Sequence, residues 1–414
     1  MTNSMTRTGQ RGPADAPEAG GGLSRGLLLL MSVSTGLVVA GNYFAQPLLD
    51  VIRRDLELSP SMAALVVTAA QAGYAVGLIL LLPLGDLLER RRLTVGLFGA
   101  TAVFLLMSAT APNGAVLLTG TALAAVTSVS AQVLVTFAVA LASPEHRGRV
   151  VGTVMSGLLL GGLLARTISG VLSEFGGWRT VYWVNAILLA VVAVLLWRVL
   201  PRLHTPAGMS YPALLRSTVV LLRTEPVLRW RAGIAALSLA SFNVFWTAVT
   251  FLLVGDHYRW SEAVIGLFGL VGIAGTIATP VAGRLADRGF VHWVAGVGTA
   301  LLALSWIAIG AGGTSLAWLL GGAIALTVAQ QSVLNSNQNV IYALAPEIRN
   351  RLNSAFMTAF FVGGAVGSAM TAVAWVRGGW SGVSVLGGAL AGATFLVWVA
   401  ERASTARRRP TLSA

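Results

Sequence analysis

The sequence predicts an all-α membrane protein whose twelve transmembrane helices form two pseudo-symmetric six-helix bundles. Three observations carry this prediction: the composition, a series of apolar stretches of spanning length, and an internal repeat. Of the 414 residues, 56% are apolar and only 10% are charged, and the mean hydropathy is +0.78. Soluble domains carry about 25% charged residues, so this composition indicates a chain that lies largely in lipid.

The residue types that are missing exclude several classes of function. The chain has no cysteine, and all 28 of its basic residues are arginine. Without cysteine there is no thiolate chemistry, and without lysine there is no P-loop lysine for an ATP-driven pump and no Schiff base. The four histidines lie far apart in the sequence. We therefore expect no catalytic residues, no metal site and no cofactor, and the chain is not predicted to be an enzyme.

Twelve apolar stretches have the length of about 20 residues that a bilayer requires. They lie near residues 26–47, 62–84, 93–111, 114–141, 150–173, 179–200, 230–254, 262–282, 291–311, 315–344, 352–375 and 380–400.

These stretches divide the chain into five parts. Residues 1–24 are rich in Gly, Pro, Ala and Thr and are expected to form a disordered cytoplasmic tail rather than a cleaved signal peptide. Residues 25–200 and 230–402 are the two predicted six-helix bundles. Residues 201–229 are a basic cytoplasmic linker whose "LLRSTVVLLR" segment is expected to lie along the membrane surface. Residues 403–414 form a second cytoplasmic tail.

The distribution of arginine predicts the orientation. If the N-terminus is cytoplasmic, the cytoplasmic segments hold 22 arginines and the outer loops hold five, with Arg166 left over inside a helix. Positively charged loops stay on the cytoplasmic side, so both termini are predicted to lie in the cytoplasm of a multi-pass protein of the plasma (inner) membrane. This bias also explains the net charge of +13 without a nucleic-acid partner.

An internal repeat relates the two predicted bundles. The segment from Pro144 to Trp178 matches the segment from Pro346 to Trp380 at a shift of 202 residues, and "GDLLERR" (85–91) matches "GRLADRG" (283–289) at a shift of 198. Parallel repeats of this kind are typical of transporters that bind their substrate between the two halves.

The six-plus-six helices, the Gly-x-x-x-acid-Arg loops after helices 2 and 8, and the "PEHRGR" loop after helix 4 resemble the major facilitator superfamily. Segments such as "NYFAQPLLDVI" and "GLLLGGLLARTISGVLSEFGGWRTVYW" further resemble a bacterial drug, sugar or metabolite efflux branch of that family. The resemblance implies a monomeric secondary transporter that exports a small organic solute by alternating access. Uptake or exchange of a sugar or metabolite, and a non-transporting receptor-like protein, are the alternatives.

The matched loops predict a gate at the cytoplasmic end. Glu89 is placed to pair with Arg147 or Arg149, and such a pair can form in one conformation and open in another. The alternative is that these charges serve only the orientation. The predicted gate residues are Gly85, Glu89, Arg90, Arg91, Arg147, Arg149, Gly283, Asp287 and Arg288.

Polar residues inside the apolar helices are the candidates for a substrate path. Alternatively, these residues only form hydrogen bonds between helices, each of which is worth about 0.6 kcal/mol. In the family, helices 1, 4, 7 and 10 line the central cavity, which favours the first role. The predicted substrate-binding residues are Asn42, Tyr43, Gln46, Gln71, Tyr74, Gln132, Arg166, Asn243, Trp246, Gln331, Asn335 and Gln338.

Arg166 is the most unusual of these residues, because arginine inside a membrane helix costs about 2.5 to 3.5 kcal/mol on insertion scales. It could extend to the headgroups, pair with an outer acid such as Asp50, or bind an anionic or carbonyl-bearing substrate. Ser368 occupies the repeat-related position, so the fold itself does not require arginine there. No acid lies in the middle third of a predicted helix, so coupling to protons is implied by the resemblance alone.

Overall fold

The computed structural model describes residues 24–143, 146–203, 210–344 and 349–407. The regular structure in these ranges is entirely helical. The helices are α1 (Arg25–Ala40), α2 (Ala45–Asp55), α3 (Pro60–Leu80), α4 (Arg90–Ala109), α5 (Gly114–Thr127), α6 (Ser130–Leu141), α7 (Arg147–Gly176), α8 (Trp178–Val199), α9 (Tyr211–Thr224), α10 (Pro226–Val254), α11 (Glu262–Phe268), α12 (Gly272–Leu285), α13 (Val291–Ala311), α14 (Leu316–Leu344) and α15 (Arg349–Arg407).

These helices account for the twelve predicted membrane passes. In the described ranges, ten helical segments are long and apolar enough to span a bilayer, and Glu262–Ala278 is a shorter apolar one. The last segment contains two passes, because α15 turns at Gly379, where φ is 52° and ψ is −139°. Helices α11 and α12 form one pass that a 3-10 turn interrupts at Gly269–Val271. The predicted all-α fold class is therefore confirmed.

Two further passes are broken in the middle, and none of these three breaks is predicted from the sequence. The first pass divides between α1 and α2, and the fourth divides between α5 and α6. The breaks lie side by side, since the Asn42 amide donates to the Ser128 hydroxyl at 3.0 Å. The first pass also continues to Asp55, well beyond the predicted end at residue 47, because Asp50 forms ion pairs with Arg53 and Arg54 one turn further along α2.

Glycines allow the close contact between α1 and α7. A Cβ on Gly157 would overlap the backbone of Ser32, and a Cβ on Gly161 would overlap Gly36. The repeat-related contact joins α10 to α15, where a Cβ on Gly363 would overlap Ala236. Such contacts are the usual way in which small residues bring membrane helices together. The two packing faces match the alignment of Gly161 with Gly363.

We call α1–α8 the N-terminal half and α10–α15 the C-terminal half. The end of the bundle that carries Arg90–Arg92 and Arg198 is the arginine-rich end, and the opposite end is the arginine-poor end. Helix α9 lies between the halves in sequence, and the Tyr211 hydroxyl donates to the Leu80 carbonyl at the arginine-rich end of α3 at 2.8 Å.

The halves touch each other near both ends. At the arginine-poor end, Arg54 pairs with Glu262 at 3.4 Å, and the Thr167 hydroxyl donates to the Gly266 carbonyl at 2.9 Å. Towards the arginine-rich end, the Ser354 hydroxyl donates to the Leu78 carbonyl at 3.3 Å. The described residues therefore form a conformation in which the interface between the halves is closed towards both sides.

Candidate functional site

Arg166 lies inside the interface between the halves, with only 7% of its surface exposed. Its Nε donates to Gln46 Oε1 at 2.6 Å. Its guanidinium carbon is 4.9 Å from the ring centre of Tyr43 and 4.3 Å from that of Trp246. Both distances fall within the range of cation–π contacts. Four predicted site residues from α7, the first pass and α10 thus meet at one point, and Arg166 does not extend to the surface.

Small residues on both sides make room for this cluster. A Cβ on Gly162, one turn before Arg166, would lie 3.3 Å from the Tyr43 ring. A Cβ on Gly269 would lie 2.8 Å from the Cβ of Arg166. The interruption between α11 and α12 falls at this glycine, so the break in that pass is where the C-terminal half approaches Arg166.

A closed cavity of about 10 Å³ lies beside the guanidinium, which is room for about one water molecule. None of its lining residues is acidic; they are Gln46, Pro47, Arg166, Trp246, Val249, Thr250, Ile265 and Phe268. Gln46 Nε2 and Trp246 Nε1 are buried and have no hydrogen-bond partner among the described residues. Both atoms are donors, as is every nitrogen of the guanidinium.

Asp50 does not supply the missing negative charge. Its carboxylate binds Arg53 Nη2 at 3.0 Å and Arg54 Nε at 2.9 Å. Arg166 therefore has no carboxylate partner among the described residues. Its only hydrogen bonds there go to neutral oxygens, the Gln46 side chain and the Gly162 carbonyl at 3.4 Å. The site combines a buried cation with two further unpaired donors.

The repeat-related contact in the C-terminal half has no charge. Ser368, which aligns with Arg166, pairs its hydroxyl with that of Thr247 on α10 at 3.1 Å. The residue aligned with Arg166 thus pairs with a neutral hydroxyl on the neighbouring helix. The same helix contact forms without a guanidinium, so Arg166 is not needed to hold the helices together.

Other predicted residues form hydrogen bonds away from this cluster. Asn42 bonds Ser128, and the Asn243 amide donates to the Gly364 carbonyl at 3.2 Å. The first bond joins neighbouring helices of the N-terminal half, and the second joins neighbouring helices of the C-terminal half. Gln71 is buried, and its Oε1 has no partner among the described residues.

A second polar group lies where α3 meets α15. Tyr74 hydrogen-bonds the Gln132 side chain, and its ring centre is 4.5 Å from that of Phe361. Tyr74 is 3% exposed. The contact between Tyr74 and Phe361 therefore joins the two halves, and it lies between Arg166 and the arginine-rich end.

The predicted substrate-binding residues of α14, which are Gln331, Asn335 and Gln338, do not share one neighbour. A Cβ on Gly275 of α12 would lie 2.9 Å from the Gln331 side chain, whereas Gln338 Nε2 lies 3.7 Å from Met357 Sδ of α15. Asn335 Nδ2 is buried without a partner in the described part of the chain.

The predicted gate is described in part. Glu89 Oε2 pairs with Arg92 Nε at 3.1 Å, and Arg90 donates to the carbonyls of Gly85 at 3.3 Å and Thr136 at 3.2 Å. Arg90 thus joins the loop after α3 to α6. Arg288 is exposed and Arg91 is partly buried. The structure does not describe the side chains of three other gate residues, which are Arg147, Arg149 and Asp287, and of Gly283 it describes only the helical backbone. The predicted pairing of Glu89 with Arg147 or Arg149 therefore lies outside the described residues.

Thr250, Ile265 and Phe268 were missing from the predicted site. Thr250 lies one turn after Trp246 on α10, and its hydroxyl donates to the Gln46 carbonyl at 2.7 Å. Helical spacing from Trp246 would have found it. Ile265 and Phe268 carry no such signal, because their place at the site depends on how the two halves meet. No cluster of acids and histidines suited to a metal ion occurs among the described residues.

Comparisons with known proteins agree on one family. The family model for the Major Facilitator Superfamily matches residues 31–368 and 232–413. The uncharacterized transporter YgaY of Escherichia coli O157:H7 is 48% identical over 376 residues, which cover 91% of this chain and 95% of YgaY. SCO4007 of Streptomyces coelicolor, named a probable transporter, is 34% identical and covers 94% of this chain and 89% of its own length.

Solved structures show the same fold. The crystal structure of the nucleoside transporter NupG covers 91% of this chain and 98% of NupG, with a TM-score of 0.74 and 14% identity. That of the human organic anion transporter MFSD10 covers 91% of this chain and 100% of MFSD10, with a TM-score of 0.68 and 17% identity.

Proposed function

Because this chain belongs to the major facilitator superfamily and is a membrane transporter, we propose that it exports a small organic anion by alternating access. The proposed direction is outward across the plasma membrane, with the arginine-rich end in the cytoplasm. The observation that carries the proposal is the buried Arg166 guanidinium, which has two unpaired donors beside it and no carboxylate partner among the described residues.

The energetics of the cavity favour an anion. A buried charge is costly unless it is paired, and buried donors without acceptors add to that cost. A carboxylate or phosphate group would accept charge-assisted hydrogen bonds from the guanidinium and further bonds from Gln46 Nε2 and Trp246 Nε1. A cationic substrate would meet repulsion at the same place. The site therefore selects by charge, and Tyr43 and Trp246 supply flat apolar surfaces for the body of the solute.

The closed cavity also indicates how transport would proceed. About 10 Å³ cannot hold an organic solute, so binding requires the halves to separate around Arg166. Contacts between the halves at the arginine-poor end, such as Arg54 with Glu262, would open in one state. Contacts such as Ser354 with Leu78 would open in the other. Each contact is a single hydrogen bond or exposed ion pair of modest strength, which suits a reversible gate.

Metabolite profiling tests the proposal. Small anions would be measured inside and outside cells that lack the gene, cells that overexpress it, and cells that overexpress Arg166→Gln. We expect one or more organic anions to accumulate inside the deletion strain and outside the overexpressing strain, and Arg166→Gln to behave like the deletion. The opposite redistribution would indicate uptake. Redistribution of neutral or cationic solutes alone would overturn the anion assignment, and no redistribution would favour a receptor-like protein.

A further inference from the structure

A second cavity, of about 360 Å³, lies between the beginning of α13 and the end of α15 at the arginine-rich end. Its lining includes His292 and Trp293 from α13, and Phe395, Trp398 and Arg402 from α15. It shares no lining residue with the cavity beside Arg166 and plays no part in the transport path proposed above.

Two of the polar side chains that line this cavity, Arg402 and Trp398, are hydrogen-bond donors only. The Arg402 side chain forms no ion pair within the described part of the chain. Trp398 Nε1 is buried and has no hydrogen-bond partner among the described residues. Arg231 Nη2 lies 3.2 Å from His292 Nδ1, and because an arginine can only donate, Nδ1 is the acceptor in this contact. The neighbouring acid, Glu401, pairs with Arg231 at 2.9 Å and also interacts electrostatically with Arg402, without forming an ion pair with it.

The cavity is polar at one end and apolar at the other, as a phospholipid is. His292 and Arg402 lie at the end of the bundle, whereas Ala300 and Phe395 line the cavity about 12 Å and 10 Å further into the membrane. Trp293 is 73% exposed and Val297 is 56% exposed, so this surface faces lipid. Both residues also line a larger apolar cavity of about 630 Å³ on the other side of α13. An acyl chain would thus find apolar walls directly below the basic groups.

The position of Trp398 is built into the packing. Its ring lies over Gly296 of α13, where a Cβ would come within 2.5 Å of the indole. The ring also stacks on Phe395, with centres 5.8 Å apart and an interplanar angle of 26°. The indole ring is therefore held in place by packing rather than left free to rotate towards water.

We propose that this cavity binds the headgroup of an anionic phospholipid from the leaflet at the arginine-rich end. The phosphate would accept hydrogen bonds from Arg402 and Trp398, and the acyl chains would lie against Trp293 and Val297. Basic pockets between membrane helices at the cytoplasmic side are suited to such lipids, because that leaflet is anionic. The proposal uses the predicted orientation only to identify the leaflet and does not depend on the transported solute.

Native mass spectrometry of the purified full chain in detergent tests the proposal. Dioleoyl phosphatidylglycerol, dioleoyl phosphatidylcholine and glycerol 3-phosphate would be added separately. We expect phosphatidylglycerol to be retained in preference to the other two. Arg402→Gln should lower its apparent affinity about tenfold, which corresponds to the loss of one charge-assisted hydrogen bond. Trp398→Phe, which keeps the ring and removes the N–H, should lower it in the same direction.

The matched control is Arg198→Gln. Arg198 is an exposed arginine at the arginine-rich end of α8, next to the exposed Trp197, in the last pass of the other half. The Arg198→Gln variant should bind phosphatidylglycerol as the wild-type protein does. Equal retention of phosphatidylcholine, equal binding of glycerol 3-phosphate, or equal losses in Arg198→Gln and Arg402→Gln would each overturn the proposal. Because the measurement detects bound lipid, failure of the transport proposal would not affect it.

Discussion

Two buried arginines in this protein have opposite surroundings. Arg231 is 1% exposed, and its guanidinium binds Glu401 at 2.9 Å, Asn337 at 3.2 Å and His292 at 3.2 Å. Arg166 is 7% exposed and has no acid beside it among the described residues. A buried pair is usually retained for structure, because losing one partner leaves the other charge uncompensated. A buried cation without a partner is better explained by a ligand that supplies the negative charge.

This contrast predicts different effects on stability. Glu401→Gln should destabilise the protein by about 3–5 kcal/mol, because Arg231 would remain buried without its counter-charge. Arg166→Gln should leave stability unchanged or raise it, because it removes a charge that has no partner in the closed state. Thermal unfolding of the purified variants in detergent measures both effects. Equal losses of stability would contradict the different roles assigned to the two arginines.

The contact between α1 and α7 depends on glycines along one face of α7. Gly161 and Gly157 meet α1 so closely that neither has room for a Cβ, whereas nothing lies within 4 Å of a Cβ on Gly152. The spacing of four residues between Gly157 and Gly161 places both on one face of α7. The breaks in the first and fourth passes could not be predicted, because they depend on Asn42 meeting Ser128 across 86 residues.

A pair of alanine substitutions on α7 tests this packing. Gly161→Ala should lower the yield of folded protein and its thermal stability, because the new methyl group would overlap the backbone of Gly36. Gly152→Ala is the matched control and should stabilise slightly, by up to about 1 kcal/mol, since alanine favours the helix over glycine. Size-exclusion profiles and unfolding midpoints compare the two. If both variants behaved alike, close packing at Gly161 would not be required.

The gate loop offers a second test at the level of elements. Glu89 pairs with Arg92 at 3.1 Å, at the point where α4 begins. Glu89→Arg should reduce transport more than it reduces abundance, because it replaces an attraction in the loop by repulsion and leaves the membrane passes unchanged. Arg288→Glu in the second loop should have a smaller effect, since the basic run there is shorter. Flux per folded molecule, measured in proteoliposomes, decides the point, and unchanged flux in Glu89→Arg would exclude a gating role.

At the scale of the whole molecule, the fold could be predicted well and the site only in part. Composition, span length and the repeat depend on local sequence, so they predicted twelve passes in two halves. Tyr43, Gln46, Arg166 and Trp246 were predicted and do converge. Gln331 and Gln338 do not join them, because helical spacing gives a face of α14 but not the neighbour that each part of it meets. Ile265 and Phe268 were missed for a related reason: their role exists only when the halves are closed.

The central claim is that Arg166 binds a transported anion between the two halves. The most direct measurement is flux of the anion identified by metabolite profiling, in proteoliposomes that contain wild-type protein, Arg166→Gln, Arg166→Lys or Arg377→Gln. Arg377 is exposed near the turn at Gly379 and serves as the matched control. We predict that Arg377→Gln transports at the wild-type rate. Arg166→Gln should lose at least about tenfold, and Arg166→Lys should also lose flux because lysine cannot reproduce the planar guanidinium contacts. Wild-type flux and affinity in Arg166→Gln would contradict the claim.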